Sequence, residues 1–254
     1  MSTVYEQHGY RLHKALFAPS ELAPVHAVLT RFHAAWLEDN ADFYASRAIN
    51  SANLTATRYL DDEARMTLFR FVGSQAVRDV VLDVLPQGAM FINTQLFFDP
   101  ANASLDNYWH RDSQYNETSI DAQKRALKEH DPLHLRIAFK PERGISLVPG
   151  THRRWDTDHE FDVRMGRNGC AVHDDLDDAV DVALEPGDGL LFSAAMIHRG
   201  LYGGDRLAFD LLFSNIDPTF ASFVDPDCLP SAAQLVDLDW PAPFAATRDL
   251  IEGC

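Results

Sequence analysis

The stretch Trp109-His110-Arg111-Asp112 places a histidine and a carboxylate two residues apart. In an extended chain, side chains two apart point to the same side, so His110 and Asp112 can approach one ligand together. A further histidine, His198, follows the apolar run Gly189-Leu190-Leu191-Phe192, which is typical of a buried strand. Two imidazoles and one carboxylate leave one side of an Fe(II) ion open, as oxygen-activating iron enzymes require. The pattern therefore predicts a β fold that brings His110, Asp112 and His198 together around iron.

Other histidines are expected to lie outside this site. A second His-x-Asp pattern, His173-Asp174-Asp175, belongs to an acidic stretch that reads as a solvated loop, where no strand would orient metal ligands. His152 follows the turn Pro149-Gly150 and precedes two arginines, so we expect it at the surface or behind the ligands. Neither histidine is predicted to bind the metal.

Strand alternation predicts which side chains face a cavity. Residues 206–214 separate into an apolar face, Leu207, Phe209, Leu211 and Phe213, and a mixed face, Arg206, Ala208, Asp210, Leu212 and Ser214. Residues 133–139 separate likewise into Leu135, Ile137 and Phe139 against His134, Arg136 and Ala138. Between Met90 and Phe98, Asn93 and Gln95 share a face with Phe91 and Phe97. We expect the apolar faces to pack on helices, which places Gln95, Arg136 and Arg206 on candidate cavity walls.

Several motifs in a fixed order resemble a known family. They are Trp-His-x-Asp, then Leu147-Val148-Pro149-Gly150-Thr151-His152, then Pro186-Gly187-Asp188, then Ile197-His198, then Arg206. This combination resembles the phytanoyl-CoA dioxygenase-like family of Fe(II)/2-oxoglutarate-dependent oxygenases. The resemblance extends from about Gly9 to about Ser214 and covers most of the chain.

The resemblance implies a fold and a chemistry. The implied fold is mainly β with flanking helices, a double-stranded β-helix (jelly-roll, cupin-like) barrel. The implied cofactors are Fe(II), 2-oxoglutarate as co-substrate and O₂, and the implied activity is a dioxygenase that hydroxylates its substrate and releases succinate and CO₂. Related halogenases have a small residue where this chain has Asp112, so the carboxylate argues against halogenation.

The resemblance also suggests co-substrate contacts. Arg206 matches the arginine that holds the distal carboxylate of 2-oxoglutarate in the family, and a guanidinium offers a fixed bidentate fork for such a group. The resemblance also implies Gln95, Arg58 and Arg136 as further cofactor-binding residues. The metal ligands implied are again His110, Asp112 and His198.

The length of 254 residues predicts a single oxygenase domain over 1–254. We expect a helical N-terminal buttress at about 20–85, a jelly-roll core at about 89–215 and a wrapping C-terminal tail at about 221–254. Gly9 to Phe17 reads as a strand, Ser20 as a helix cap, and further helices are expected over Leu60–Phe71 and from Ser74. After Ala89 little helix is expected, apart from a short helix or lid within 116–132.

Composition narrows the partners and the location. Asp and Glu total 38 against 22 Lys and Arg, a net charge of −16 that would repel nucleic acid. The chain has neither a signal-peptide pattern nor a long apolar run, so we expect a cytoplasmic protein with no membrane partner. Cys170, Cys228 and Cys254 are expected to be free thiols. The sequence does not indicate an oligomeric state.

The substrate predicted from sequence is a small polar metabolite: an amino acid, an organic acid or a natural-product intermediate. Two alternatives stay open. A cupin-like metal enzyme that does not use 2-oxoglutarate would keep its activity in Arg206→Ala. A non-catalytic ligand-binding jelly roll would tolerate His110→Ala. The complete ligand set together with Arg206 disfavours both.

Overall fold

The computed structural model describes residues 3–116 and 119–253. Within them the strands are β1 (Tyr10–His13), β2 (Asn50–Ala52), β3 (Met90–Phe98), β4 (Leu133–Ala138), β5 (Glu142–Leu147), β6 (Val180–Leu184), β7 (Gly189–Ser193), β8 (His198–Gly200) and β9 (Leu207–Ser214). The helices are α1 (Val4–His8), α2 (Pro19–Asp39), α3 (Ala41–Ser46), α4 (Asp62–Val72), α5 (Gln75–Leu82), α6 (Ser113–Asn116), α7 (Ile120–Glu129), α8 (Asp158–Met165), α9 (Pro218–Ala221), α10 (Ala232–Leu235) and α11 (Ala242–Glu252). Short 3₁₀ turns span Thr151–Arg153 and Pro226–Cys228.

The strands form two antiparallel sheets that pack against each other. The large sheet has the order β1-β7-β4-β9-β3-β2, and the small sheet has the order β6-β5-β8. One buried cluster joins Ile145 and Val182 of the small sheet to Leu190 and Phe192 of the large one. The opposite face of the large sheet packs on helices. The prediction of a mainly β fold with flanking helices is confirmed.

The helix-facing side of the large sheet carries the residues that strand alternation assigned to it. Leu207, Phe209, Leu211 and Phe213 of β9 join one cluster with buried residues of α2, α4 and α5. Their alternates Arg206, Asp210 and Leu212 line a cavity on the other side. The period of two in β9 therefore predicted both faces correctly.

Strand β3 departs from simple alternation. Phe91 pairs with Phe213, but the next pair is Asn93 with Leu212, so Ile92 is an extra residue in the ladder. Such a bulge reverses the faces on either side of it. Asn93 and Gln95 line the cavity, whereas Phe91 packs on Phe244 of α11. The prediction that Phe91 shares their face is wrong for this reason.

The three N-terminal helices expected from apolar spacing are present. Helix α2 buries Leu22, Val25, Leu29, Phe32 and Trp36, as the spacing predicts. It begins earlier than expected, because Ala18 and not Ser20 is the N-cap, and the Glu21 carboxylate accepts a hydrogen bond from the Ala18 amide at 2.8 Å. Asp61 and Ser74 cap α4 and α5 with their side chains.

Two predictions about the extent of regular structure are wrong. The strand expected over Gly9–Phe17 ends at His13, because Ala15 has a positive φ of 48° and turns the chain. Helices α8 and α11 were not expected after Ala89. Helix α8 has a weak apolar pattern and depends on local caps, with Thr157 and Glu160 bonded reciprocally at its start. Helix α11 lies in a proline-rich tail and is fixed by burial of Phe244.

The turn Pro186-Gly187-Asp188 holds the segment that follows β1. Gly187 has a φ of 90°, and the Asp188 carboxylate accepts hydrogen bonds from the Ala15 amide and the Glu185 amide, each at 2.9 Å. Lys14 adds an ion pair to Asp188 at 2.7 Å. The turn chemistry predicted for this motif therefore serves as scaffolding.

Two simpler properties concern helices and thiols. Among the described residues, none of the helices combines the length and the apolar character needed to cross a bilayer. Cys170 and Cys228 are free thiols, as expected, and Cys254 lies outside the described residues.

Candidate metal centre

The candidate ligands come together through backbone pairing. His110 and His198 form an isolated antiparallel bridge, each donating its amide to the other's carbonyl at 2.9 Å. The Asp112 amide donates to the Ala194 carbonyl at 3.1 Å. Asp112 Oδ1 then lies 3.6 Å from His110 Nε2 and 3.5 Å from His198 Nε2. One nitrogen or oxygen from each side chain falls within 4.8 Å of the others, which is close enough for one metal ion.

Backbone carbonyls fix the orientation of both imidazoles. His110 Nδ1 lies 3.2 Å from the Tyr108 carbonyl, and His198 Nδ1 lies 3.0 Å from the Met196 carbonyl. A carbonyl only accepts, so each Nδ1 carries the proton and each Nε2 presents a lone pair. Burial lowers the pKa of His198 to about 3 and also lowers that of His110. Both rings are therefore neutral at pH 7, the form that binds a metal.

A series of buried hydrogen bonds extends from Asp112, the candidate carboxylate ligand. His134 Nε2 lies 2.9 Å from Asp112 Oδ2, and His134 Nδ1 lies 3.1 Å from Asp210 Oδ2. Arg136 in turn donates to both oxygens of Asp210, at 2.7 and 3.1 Å. This series holds one oxygen of Asp112 away from the candidate metal position and leaves Oδ1 facing the two histidines.

The charges in this hydrogen-bonded series stabilise each other. Burial opposes the charged form of His134, but hydrogen bonds to Asp112 and Asp210 outweigh it and raise its pKa to about 9. Burial also favours neutral Asp112, yet the His134 hydrogen bond and nearby histidines bring its pKa below the usual value. Strand alternation placed His134 and Asp210 on the cavity face, but their roles were missed, since only tertiary pairing shows that they connect to Asp112.

Arg206 is buried with free donors. Its side chain is inaccessible to solvent, and its Nε donates to the Phe98 carbonyl at 3.0 Å. Nη1 and Nη2 have no hydrogen-bond partner among the described residues. Gly200 leaves room for the guanidinium, because a Cβ there would lie 3.0 Å from Nη1. Two open, buried donors on one guanidinium are suited to an anion.

The other predicted co-substrate residues differ in position. Gln95 and Arg136 line the same cavity as Arg206 and the three candidate ligands. Arg136 already binds Asp210, and only its Nη1 is without a partner among the described residues. Arg58 is not among the lining residues; its side chain is 69% exposed and forms an ion pair with Asp39 at 3.0 Å. Arg58 is therefore excluded from this site, because the segment between α3 and α4 directs it outward.

Glu142 is another buried charge that the sequence did not indicate. It is 6% exposed, and both of its carboxylate oxygens lack a hydrogen-bond partner among the described residues. Burial raises its pKa, opposed by the positive charges of Arg136 and Arg206. Glu142 therefore adds an acidic group beside the two arginines.

Two histidines lie outside the metal group, as expected. His173 is absent from the group, and its neighbours Asp174 and Asp175 bond to Ala171 and Arg199 instead. His152 is also outside the group, but it is only 5% exposed and packs against Tyr5. Of the two positions expected for it, the surface is excluded, because helix α1 covers His152.

A cavity of about 720 Å³ contains the candidate centre. The candidate ligands, Gln95, Arg136 and Arg206 lie on its wall beside a larger set of apolar side chains. Cavities of about 300–1,000 Å³ are typical of small-molecule sites. The arrangement provides a metal position, an anion-binding arginine and space for a further molecule.

Comparisons with known proteins give one family match and several structural likenesses. The family model described as phytanoyl-CoA dioxygenase (PhyH) matches residues 5–201. No curated protein matches the chain.

The structural likenesses are to non-haem iron enzymes. The non-haem α-ketoglutarate-dependent epimerase SnoN from nogalamycin biosynthesis is 17% identical, with a TM-score of 0.57 over 84% of this chain and 78% of that one. EctD from S. alaskensis is 15% identical, with a TM-score of 0.58 over 84% and 75%. The carbocyclase SnoK is 18% identical, with a TM-score of 0.52 over 84% and 82%.

Two of these proteins also have ligand-bound structures. One structure of SnoN contains Fe³⁺, α-ketoglutarate and nogalamycin RO, and one of EctD contains 2-oxoglutarate and 5-hydroxyectoine. At these identities the likeness shows the fold, which confirms the predicted cupin-like, double-stranded β-helix class. The described strands form two sheets, and a closed barrel is not observed among them.

Proposed function

The chain belongs to the phytanoyl-CoA dioxygenase family and is a 2-oxoglutarate-dependent oxygenase, and we propose that it hydroxylates a small-molecule substrate. Fe(II), 2-oxoglutarate and O₂ are its cofactor and co-substrates. The proposed metal ligands are His110 Nε2, Asp112 Oδ1 and His198 Nε2. When bound, iron would activate O₂, which is the oxidant: one oxygen atom would enter the substrate and the other would enter succinate as 2-oxoglutarate is oxidised and loses CO₂.

The residues present suit both groups. Two neutral imidazoles and one carboxylate form the two-histidine, one-carboxylate donor set suited to non-haem Fe(II). The observation that carries the co-substrate assignment is the pair of unpartnered donors on buried Arg206. Arg206 Nε lies 3.6 Å from Asp99 Oδ1, and a carboxylate bound at Nη1 and Nη2 would satisfy the two buried donors that remain open. The geometry therefore supports Arg206 as the residue that holds the distal carboxylate of 2-oxoglutarate.

Neighbouring side chains orient these groups. Gln95 and Arg136 are proposed to flank the co-substrate, Gln95 through its amide and Arg136 through Nη1. Arg58 is not proposed, because it lies outside the cavity. Phe97, which lies under the guanidinium planes of Arg136 and Arg206, would keep water from both. His134 would hold Asp112 so that one carboxylate oxygen alone faces the metal.

An anaerobic titration tests this proposal. Apo-protein is mixed with Fe(II) and 2-oxoglutarate, and the visible charge-transfer band of the chelated metal is recorded. We expect a band in the wild type that is weakened or lost in Asp112→Ala and in Arg206→Ala. Arg58→Ala is the matched arginine control and should keep the band.

A negative result has a defined meaning. Stoichiometric iron binding without the band would show that 2-oxoglutarate does not chelate the metal. The cupin-like enzyme that does not use 2-oxoglutarate would then replace the present proposal. Failure of both iron and co-substrate to bind would favour the non-catalytic jelly roll.

The finer features of the activity are proposals as well. Hydroxylation rather than halogenation follows from the carboxylate at Asp112. The named structural relatives bind molecules as different as nogalamycin RO and 5-hydroxyectoine, so the fold alone does not indicate whether this substrate is polar. The cytoplasmic location stays a prediction from sequence.

A further inference from the structure

The inner face of the large sheet arranges the cavity wall in rows. One row consists of Gln95, Asp210 and Arg136, and the next consists of Asn93, Leu212 and His134. Arg206 precedes β9, so the first row lies on the side of the proposed co-substrate and the second row lies further along the strand. The first row is polar throughout, whereas in the second row the apolar Leu212 stands between the polar Asn93 and His134.

The cavity becomes apolar beyond the end of β9. Its lining there is mostly apolar, with Leu127, Leu133, Leu212, Phe220 and Phe223 beside the polar side chains of His130 and Thr219. Phe223 is 46% exposed, and Tyr115, another lining residue, is 57% exposed. Large aromatic side chains in contact with water are stabilised when an apolar ligand covers them. This half of the cavity therefore favours an apolar occupant.

The charges in the cavity disfavour an amino acid. Its carboxylates, among the described lining residues, are Asp106, Asp112 and Asp210. Asp112 is a proposed metal ligand, Asp210 is bonded to Arg136 and His134, and the Asp106 side chain is 71% exposed. An ammonium group placed between the metal and Phe220 would be desolvated without a buried partner, which is unfavourable.

The cavity is also larger than an amino acid requires. Its volume of about 720 Å³ falls in the range of cavities that enclose drug-sized ligands. A short dicarboxylate beside Arg206 would occupy part of this volume. The remaining space, bounded by α7 and α9, accommodates a bulkier molecule.

Resting on the proposed function, we propose that the substrate is a bulky, largely apolar molecule without an ammonium group. Its carbon skeleton lies between Leu212 of β9, Leu127 of α7 and the aromatic pair Phe220 and Phe223. The carbon to be oxidised is directed at the metal, and any polar groups lie at the solvent-facing rim. This revises the small polar metabolite predicted from the sequence.

Binding without turnover tests this inference. The protein loaded anaerobically with Fe(II) and 2-oxoglutarate is titrated calorimetrically with testosterone, alizarin, 1-dodecanol and L-proline. At least one apolar probe should bind about tenfold more tightly than L-proline or better, with a negative heat-capacity change. The first two probes represent fused rings and the third represents a flexible chain. The order of their affinities therefore distinguishes the two kinds of skeleton.

A matched pair of variants distinguishes probe binding in the cavity from non-specific binding to the protein surface. Leu127 lines the cavity, whereas Ile120 of the same helix is 41% exposed and is not among the lining residues. Leu127→Asp should weaken apolar-probe binding by about tenfold or more. Ile120→Asp should leave it unchanged. Both sites are accessible to solvent, so both variants are expected to fold.

The outcomes separate this inference from the proposed function. The charge-transfer band is recorded on the same samples before any probe is added, and its absence would contradict the proposed function. A normal band with tighter binding of L-proline would overturn the inference alone. Equal weakening in Leu127→Asp and Ile120→Asp would overturn it too, because binding would then lie outside the cavity.

Discussion

Arg111 lies between the two candidate ligands of the Trp-His-Arg-Asp stretch, and its side chain points away from the metal position. It is 1% exposed, and its Nε donates to Asp156 at 2.8 Å. Nη1 donates to the carbonyls of Thr151 and Ala195, and Nη2 donates to the Arg154 carbonyl. One guanidinium thus binds three backbone carbonyls beside the ligands. At the scale of single residues, the site is held from behind by this group and by His134.

Replacing Arg111 should destabilise the fold. Arg111→Met would leave Asp156 and the carbonyls at its donors without that partner, and breaking a buried ion pair costs about 3–5 kcal/mol. Urea unfolding of the apo-protein measures the change. Arg70→Met is the control, since Arg70 forms an exposed pair with Asp237 at 3.7 Å and should change stability by about 0.5 kcal/mol or less. Equal effects of the two substitutions would contradict the role given to Arg111.

Replacing His134 should weaken iron binding. His134→Gln cannot bridge Asp112 and Asp210 in the same geometry, so Asp112 would lose its fixed orientation. Changes of this kind reduce metal affinity about 10–100-fold. Competition with a chromophoric Fe(II) chelator gives the affinity, and thermal unfolding is recorded alongside. His173→Gln, at the exposed second His-x-Asp, should bind iron like the wild type. An unchanged affinity in His134→Gln would rule out the positioning role.

Turns and helix ends determine how the elements fit together. The Pro-Gly-Asp turn before β7 approaches the backbone near Phe17, and a Cβ on Gly187 would collide with the Phe17 carbonyl. The positive φ of Gly187 adds strain for any other residue. Local turn chemistry predicted the turn itself. The close approach of the N-terminal segment to it became visible only in the fold.

A pair of glycine substitutions separates collision from strain. Gly187→Ala should destabilise the protein by more than about 1 kcal/mol, because the backbone must move away from Phe17. Gly203 has a similar φ of 97°, but a Cβ added there would meet nothing within 4 Å, so Gly203→Ala reports the conformational strain alone. Midpoints of urea unfolding measure both. If the two variants lose equal stability, the collision at Phe17 has no effect.

For the whole molecule, buried histidines couple stability to pH. His152 lies under helix α1, and burial together with the charge of Arg153 lowers its pKa from 6.5 to about 4. Below pH 6.5 the unfolded chain binds a proton there, whereas the folded protein does so only near pH 4. The contribution of His152 to stability is therefore present above pH 6.5 and decreases as the pH falls to about 4.

The size of this effect can be measured by a variant. A shift of this size corresponds to about 2–3 kcal/mol between pH 6.5 and pH 4. Urea unfolding of the apo-protein at several pH values should show a smaller loss in His152→Gln than in the wild type. Burial also lowers the pKa of His13 and His33, which adds to the slope in both proteins. Parallel slopes would contradict the role of His152.

The sequence by itself determined the features that depend on local pattern. Apolar spacing identified α2, α4 and α5, and alternation identified the two faces of β9. The His-x-Asp spacing, with His198 and Arg206 after it, indicated the candidate site because side chains two apart on an extended chain share a side. The bulge at Ile92 broke the alternation in β3, so a pattern that assumes regular pairing misplaced Phe91.

Only the tertiary structure decided what depends on distant segments. Arg58 and Gln95 were equal candidates in the sequence, but the fold directs one to solvent and the other to the cavity. The bridge from Asp112 through His134 to Asp210 joins three separate segments, and no spacing along the chain encodes it. The apolar half of the cavity is formed where α7 and the segment after β9 meet. Its apolar character depends on which side chains converge there. Hydrophobic residues occur throughout the sequence, so only the packing of the elements decides which of them meet.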